Sequence, residues 1–85
     1  MSDDDGFVTV KAQMSGVFYR ASAPDQPPFV EVGAAIRKGQ TLALLESMKL
    51  FSKIKAPADA TVVEICVSDE ETISVGQALF RIRRA

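Results

Sequence analysis

The stretch Glu46-Ser47-Met48-Lys49-Leu50 lies near the middle of the 85-residue chain, between two segments that both have the pattern of β-strands. Residues 41–45 form a short apolar run typical of a buried strand, and residues 50–55 alternate with a period of two. Because few residues remain for a loop, Lys49 is predicted at the tip of a tight hairpin with its amine exposed. Met48 is unusually apolar for such a tip, so a second interpretation stays open, in which Met48 and Lys49 are strand residues and the turn lies elsewhere.

Composition indicates one small globular domain and excludes several classes of function. The hydrophobic share is 47%, the charged share is 25% and the net charge is −1, with no basic patch interleaved with aromatic residues that would suit nucleic acid. No apolar stretch approaches the roughly 20 residues that span a bilayer, and the acidic start is unlike a signal peptide. We therefore expect no membrane partner and an intracellular location. The lone Cys66 cannot form an internal disulfide and is expected to be a small core residue.

The chain also lacks the residues that most catalytic sites need. It contains no histidine and a single cysteine, which rules out Ser/His and Cys/His nucleophile pairs and the usual Cys/His zinc sites. Its carboxylates have the positions of turn and surface residues, and no glycine-rich phosphate loop is present. We expect no catalytic residue and no metal site, so a role in chemistry would consist of carrying a group.

Short alternating segments and frequent turn residues predict an all-β fold with about eight strands. Residues 1–6 are expected to be a flexible acidic lead, residues 7–85 the folded domain, and residues 33–40 a turn. Residues 21–28 hold three of the four prolines and are expected to be a loop with a restricted backbone. The predicted strands are residues 7–11, 17–20, 29–32, 41–45, 50–55, 60–67, 72–75 (with its turn) and 78–83. The residues predicted to face the core are Leu44, Ile54, Val63, Ile65, Leu79 and Ile82.

The two halves of the chain resemble each other. Residues 10–12 match residues 54–56 at an offset of 44, and residues 36–42 match residues 73–79 at an offset of 37. The difference, 44 − 37 = 7, places about seven extra residues in the first half, where the 21–28 loop is the natural insertion. The repeat predicts a flattened sandwich with approximate two-fold symmetry, one four-strand unit packed on the other. Chance is the alternative, since short β motifs with glycine turns look alike.

The central pentapeptide resembles the Glu-Ala/Ser-Met-Lys-Met/Leu motif of biotinyl domains, in which the lysine is covalently biotinylated. Residues 14–20, 22–25 and 29–33 look like the carrier proteins of bacterial and plastid acetyl-CoA carboxylase, and the resemblance covers residues 8–83. That subfamily has an inserted thumb beside the biotin, which the resemblance places at residues 21–28. The resemblance thus implies a flattened eight-stranded β-sandwich of the biotinyl/lipoyl type, a barrel-sandwich hybrid. The sequence departs from the family pattern at four positions. Gln13 stands where the family often has Pro, Glu70 where it often has Gly, Ser47 where Ala is commoner and Leu50 where Met is commoner.

The resemblance also implies a cofactor, a set of site residues and a set of partners. The cofactor is biotin on Lys49, and the partners are biotin protein ligase, biotin carboxylase and a carboxyltransferase. The implied recognition residues are Glu46, Ser47, Met48 and Leu50, and the implied thumb residues are Ala23, Pro24, Asp25, Gln26 and Pro27.

Several functional interpretations remain open at this stage. The chain is expected to be a non-catalytic biotin carrier, of acetyl-CoA carboxylase in fatty acid synthesis or of another biotin-dependent acyl-CoA carboxylase. It would lie in a bacterial cytoplasm or a plastid stroma. Lipoyl domains share the fold but typically have Asp-Lys-Ala at the tip, so a lipoyl carrier is a weaker alternative. A plain interaction module with Lys49 unmodified is a third.

Overall fold

Within residues 6–85, short apolar segments separated by turns rich in Gly, Pro and Asp fold into eight strands. The structure is a computed structural model and describes residues 6–85, so the predicted acidic lead lies outside the described residues except for Gly6. None of the described residues forms a helix long and apolar enough to cross a bilayer. The strands are β1 (Phe7–Lys11), β2 (Gly16–Tyr19), β3 (Ala35–Ile36), β4 (Thr41–Ser47), β5 (Leu50–Lys55), β6 (Ala60–Ile65), β7 (Thr72–Ile73) and β8 (Ala78–Arg84).

The strands form two four-stranded antiparallel sheets, with the order β1-β8-β6-β3 in sheet 1 and β5-β4-β2-β7 in sheet 2. The repeat makes β1, β2, β3 and β4 the counterparts of β5, β6, β7 and β8. Replacing each strand of sheet 1 with its counterpart from the other half gives the order of sheet 2. The predicted all-β sandwich with quasi-two-fold symmetry is therefore confirmed. The prediction that one half packs on the other is wrong, because each sheet takes two strands from each half. This interlacing lets both halves bury their apolar faces in one shared core.

The repeat is visible in the turns that precede β4 and β8. Gly39 and Gly76 have φ angles of +86° and +87°, values that favour glycine. In each turn a glutamine side chain, Gln40 or Gln77, accepts a hydrogen bond from the backbone N–H three residues earlier, at 2.9 and 3.0 Å. Each glycine also donates its N–H to the alanine that follows the first strand of the opposite half, at 2.8 Å in both cases. Matching turns with matching partners exclude chance as the origin of the repeat.

The core lies between the sheets and is wholly apolar among the described residues. The Phe18 and Phe80 rings meet across it with their centroids 5.8 Å apart. Leu79 and Ile82 are fully buried, as predicted. The buried residues are Ala12, Phe18, Val30, Ile36, Leu42, Ala43, Leu45, Ala56, Ala60, Val62, Val67, Ile73, Leu79, Phe80 and Ile82.

Two of the predicted core residues do not belong to it. Ile54 and Ile65 are partly buried and pack against the core, whereas Leu44 and Val63 are only half-buried and do not join it. Leu44 faces the outside of sheet 2, in register with Tyr19 on the neighbouring strand. Val63 lies at an irregularity in the pairing of β6 with β8, which interrupts the alternation that the prediction assumed.

Three local predictions are also corrected. Residues 29–32 do not form a strand, although Val30 is buried, and β3 lies inside the predicted turn 33–40. Single hydrogen bonds hold this segment at both ends instead: the Phe29 N–H donates to the Arg20 carbonyl at 2.8 Å, and the N–H of Gly33, which follows the segment, donates to the Val62 carbonyl at 2.7 Å. Cys66 is exposed rather than buried, because β6 ends at Ile65 and the next inward-facing side chain is Val67.

Candidate functional site

Met48 and Lys49 alone connect β4 to β5, so Lys49 lies at the tip of a tight hairpin as predicted. The two residues have φ angles of +53° and +66°, the pattern of a type I′ turn, whose twist matches that of the flanking strands. Such turns normally use Asn and Gly, because a left-handed conformation costs other residues about 1–2 kcal/mol each. The pairing of β4 with β5 must offset this cost. The positive φ angles also exclude the interpretation of Met48 and Lys49 as strand residues.

The tip presents an amine between two apolar side chains. Met48 is 91% exposed and Leu50 is 72% exposed, while Lys49 between them is exposed as well. Large apolar side chains with this exposure usually mark a contact surface for another molecule. The arrangement is suited to an enzyme that binds the side chains of Met48 and Leu50 while it acts on the Lys49 amine.

The end of the hairpin next to the turn is supported by contacts from β2. The Tyr19 hydroxyl donates a hydrogen bond of 2.8 Å to Glu46 Oε1, and the Tyr19 ring lies 6.0 Å from the Phe51 ring, centroid to centroid. The Glu46 carboxylate raises the pKa of Tyr19, chiefly by accepting its hydrogen bond. A side chain at Gly16 would collide with the backbone carbonyl of Glu46, so the glycine permits β2 to approach β4 closely.

Residues 21–28, the thumb loop, leave the end of β2 and return to it. An isolated bridge between Ala21 and Pro28 closes the loop. Arg20 holds its base: one guanidinium nitrogen donates to the Val30 carbonyl and to the Glu31 carboxylate, both at 3.1 Å. The Arg20 backbone N–H also donates to Asp69 at 2.8 Å. The loop is therefore fixed at its base, and its prolines restrict the rest.

A groove of about 340 Å³ lies between the thumb loop and the outer face of sheet 2. Of the predicted thumb residues, Ala23, Pro24 and Gln26 line this groove, whereas Asp25 and Pro27 do not. Its remaining lining residues are Tyr19, Arg20, Ala21, Ser22, Pro28, Leu44, Phe51, Asp69 and Glu70.

Sequence reasoning missed the floor of the groove, which is formed by Tyr19, Leu44 and Phe51. Phe51 is 61% exposed. The signal in the sequence was an aromatic residue directly after the central motif, in phase with Lys53 and Lys55 on the polar side of the alternation. Tyr19 and Leu44 occupy paired positions on β2 and β4, which only the strand register reveals.

The site offers a nucleophilic amine and surfaces for recognition. Lys49 can form an amide with an activated carboxyl group, and its neighbours can contact the enzyme that delivers that group. Within residues 6–85 no group of three or more His, Cys, Asp or Glu side chains could hold a metal ion.

Three comparisons with known proteins agree with this geometry. Residues 8–82 match the model of the biotin/lipoyl family, described as "Biotin-requiring enzyme". Over 74 residues the chain is 47% identical to the biotin carboxyl carrier protein of acetyl-CoA carboxylase from Streptococcus pyogenes, covering 87% of this chain and 45% of that protein. Over 75 residues it is 43% identical to the chloroplastic biotin carboxyl carrier protein of acetyl-CoA carboxylase 1 from Arabidopsis thaliana, covering 88% of this chain and 27% of that protein.

Among solved structures, a single-chain, multi-domain long-chain acyl-CoA carboxylase superposes with a TM-score of 0.80 at 24% identity, over 94% of this chain and 7% of that one. This likeness concerns the fold. The chain spans less than half the length of the two carrier proteins above. Since the family model matches nearly all of its length, the chain belongs to the biotin/lipoyl family of biotin-requiring enzymes.

Proposed function

We propose that the chain is a non-catalytic biotin carrier of acetyl-CoA carboxylase, with biotin attached to Lys49. The observation that carries this proposal is the position of Lys49 in a two-residue turn, between the exposed side chains of Met48 and Leu50. The identity of 47% to a carrier protein of acetyl-CoA carboxylase supports the choice of carboxylase.

The residues present suit covalent attachment of biotin. The Lys49 amine stands clear of the sheets at the tip, so the active site of a ligase can enclose it without moving a strand. The type I′ turn holds the lysine at one place, and pre-positioned groups react with less loss of entropy. Attachment requires the amine to lose a proton and to attack the acyl carbon of an activated biotin, such as an acyl-adenylate. The amide C–N bond forms as the bond to the activating group breaks, and that group leaves with the bonding electrons. Lys49 would hold the biotin, whose chemistry when attached would be to carry a carboxylate from one active site to another.

The residues around Lys49 would then serve recognition. Met48 and Leu50 provide apolar contacts for biotin protein ligase and for the carboxylase enzymes, and Glu46 and Ser47 provide polar ones. Glu46 is half-buried and held by Tyr19, so it offers its carboxylate in a defined direction. Met48 thereby has a reason to occupy a position that a hairpin would normally give to a polar residue.

The thumb loop would contact the biotin ring when the lysine arm folds back. Ala23, Pro24 and Gln26 form one wall of the groove, and Asp25 and Pro27 shape the loop from its outer side. The groove volume of about 340 Å³ falls at the lower end of the range for small-molecule sites, which suits a compact bicyclic ring.

The same proposal assigns partners, a compartment and domain limits. The partners are biotin protein ligase, biotin carboxylase and a carboxyltransferase that transfers the carboxylate to an acyl-CoA. The compartment is a bacterial cytoplasm or a plastid stroma, in line with bacterial and chloroplastic relatives. The carrier domain comprises residues 7–85, with the thumb loop as its insertion.

Intact mass spectrometry after co-expression with biotin protein ligase tests the proposal. The wild-type chain should gain the mass of one biotinyl group, and peptide mapping should place that group on Lys49. A parallel co-expression with lipoate ligase tests the lipoyl alternative, which Met48 and Leu50 disfavour. A chain that stays unmodified by biotin ligase, or that accepts lipoate in preference, would overturn the assignment.

To identify the acyl-CoA, the biotinylated chain should be supplied to reconstituted carboxylases. Carboxylation of acetyl-CoA with its cognate subunits supports the proposal. Turnover only with an enzyme for another acyl-CoA would assign the chain to that carboxylase instead.

A further inference from the structure

Glu46 is held by a side chain that lies far from it in the sequence. Its carboxylate accepts the Tyr19 hydroxyl at 2.8 Å, a contact between residues 27 positions apart. Within residues 6–85 no other side chain donates a hydrogen bond to Glu46. The orientation of this carboxylate therefore depends on a residue outside the central motif.

The strand register explains how the contact forms. Val17, Glu46 and Phe51 lie side by side on β2, β4 and β5, and Tyr19 is two residues further along β2 on the same face. The Tyr19 ring thus leans diagonally over the strand pair, with Phe51 as its neighbour at an interplanar angle of 49°. Packing on one side and the hydroxyl contact on the other leave the Tyr19 side chain little freedom.

We propose that Tyr19 is a positioning residue for attachment of biotin, because its hydroxyl fixes the Glu46 carboxylate in the orientation that biotin protein ligase binds beside Lys49. Glu46 is three residues from Lys49 and lies near the end of β4. The orientation of its carboxylate therefore decides whether the ligase can contact that carboxylate while it binds the tip. This inference rests on the proposed function and adds a residue to it that the motif does not contain.

The kinetic test uses Tyr19→Phe, Glu46→Ala and the double variant. Tyr19→Phe keeps the ring beside Phe51 and removes only the hydroxyl, so the fold should not change by circular dichroism. We expect the KM of biotin ligase for the carrier to rise roughly threefold to tenfold, the size of one lost hydrogen bond of ordinary net strength, with kcat unchanged. In the Glu46→Ala background the same replacement should have no further effect.

Thr9→Val is the matched control, because it removes an exposed hydroxyl from sheet 1, away from the hairpin. An unchanged KM for Tyr19→Phe would overturn the inference. An equal rise in both backgrounds would overturn it too, because Tyr19 would then act by direct contact with the ligase. Failure of the wild-type chain to accept biotin would refute the proposed function instead, so the two failures are distinguishable.

A second measurement needs no ligase. Tyr19 is the single tyrosine of the chain, so the absorbance change of tyrosine on ionisation reports this residue alone. Its pKa is raised by Glu46 first, with smaller contributions from burial, Glu70 and Asp69. Replacing Glu46 with alanine should therefore lower the titration midpoint, whereas Glu64→Ala on sheet 1 should leave it unchanged. If the titration midpoint of Tyr19 is the same with and without Glu46, the hydrogen bond does not form in solution and the inference is overturned.

Discussion

Replacing Ile82 with alanine should remove much of the stability of this domain, whereas Leu44→Ala should cost far less. Ile82 is 0% exposed and lies on β8, paired with β1 on one side and β6 on the other. A buried isoleucine that becomes alanine loses about 2–5 kcal/mol, because its contacts vanish and a cavity remains. Leu44 faces the groove outside sheet 2, so its truncation should cost about 1 kcal/mol.

The loss expected for Ile82→Ala is large compared with the free energy of unfolding of the whole domain. A domain of this length has a free energy of unfolding on the order of 4–12 kcal/mol. With a urea m-value of about 1 kcal/mol/M for so small a protein, Ile82→Ala should lower the midpoint by about 2 M or more, and Leu44→Ala by about 1 M. Far-UV circular dichroism is the suitable probe, because the chain contains no tryptophan.

The pair is informative because both residues are large aliphatic side chains that the sequence predicts to face the core. Only the three-dimensional register separates them. Equal midpoint shifts, or a larger shift for Leu44→Ala, would mean that the faces of β4 or β8 have been assigned to the wrong side of the sheet.

Three further predictions concern the tip, a turn and the thumb loop. Lys49→Arg should fold normally but gain no biotin mass, since a guanidinium stays protonated and is a poor acyl acceptor; biotin on Lys53 or another lysine would show that the site is wrong. Gly76→Ala should lower the free energy of unfolding in urea by about 1–2 kcal/mol, because its φ of +87° disfavours alanine although no atom lies within 4 Å of the new methyl group. Deleting residues 22–28 should leave the fold and biotinylation largely intact but slow carboxyl transfer; wild-type turnover of the deletion variant would contradict a role for the loop.

Much of the site could be predicted from the sequence, because the hairpin turn and the loop depend on residues that are close together in the chain. Two strand patterns with only two residues between them leave one place for a turn, and Lys49 has to be in it. The repeat was also readable, since Gly39 and Gly76 each precede a glutamine that caps the same turn. The thumb loop was recognisable from its prolines and from the seven-residue difference between the two halves.

The strand order, two of the core assignments and the floor of the groove could not be predicted. They depend on contacts between residues far apart in the chain, which the local pattern of one sequence does not reveal. Equal apolar patterns in the two halves leave open which strands share a sheet, so the interlaced order was not predictable. Pairing irregularities at Val62/Glu64 and at Thr41/Ala43 shift the alternation, which is why Val63 and Leu44 were wrongly placed in the core. The floor of the groove was missed for the same reason, because Tyr19 meets Phe51 only through the register of three strands.

Consecutive residues at the end of β2 hold the two parts of the site in a fixed relation. Tyr19 contacts Glu46 near the turn of the hairpin, and Arg20 holds the base of the thumb loop through the Val30 carbonyl. β2 ends at Tyr19, so Arg20 is the first residue beyond the strand, and its side chain contacts the segment that follows the thumb loop. Loss of the Tyr19 hydroxyl should therefore loosen Glu46 while the loop stays anchored, and deletion of the loop should remove one wall of the groove while Glu46 stays in place. If the proposed function is right, the two changes should affect different steps, attachment of biotin and carboxyl transfer, even though one strand supports both.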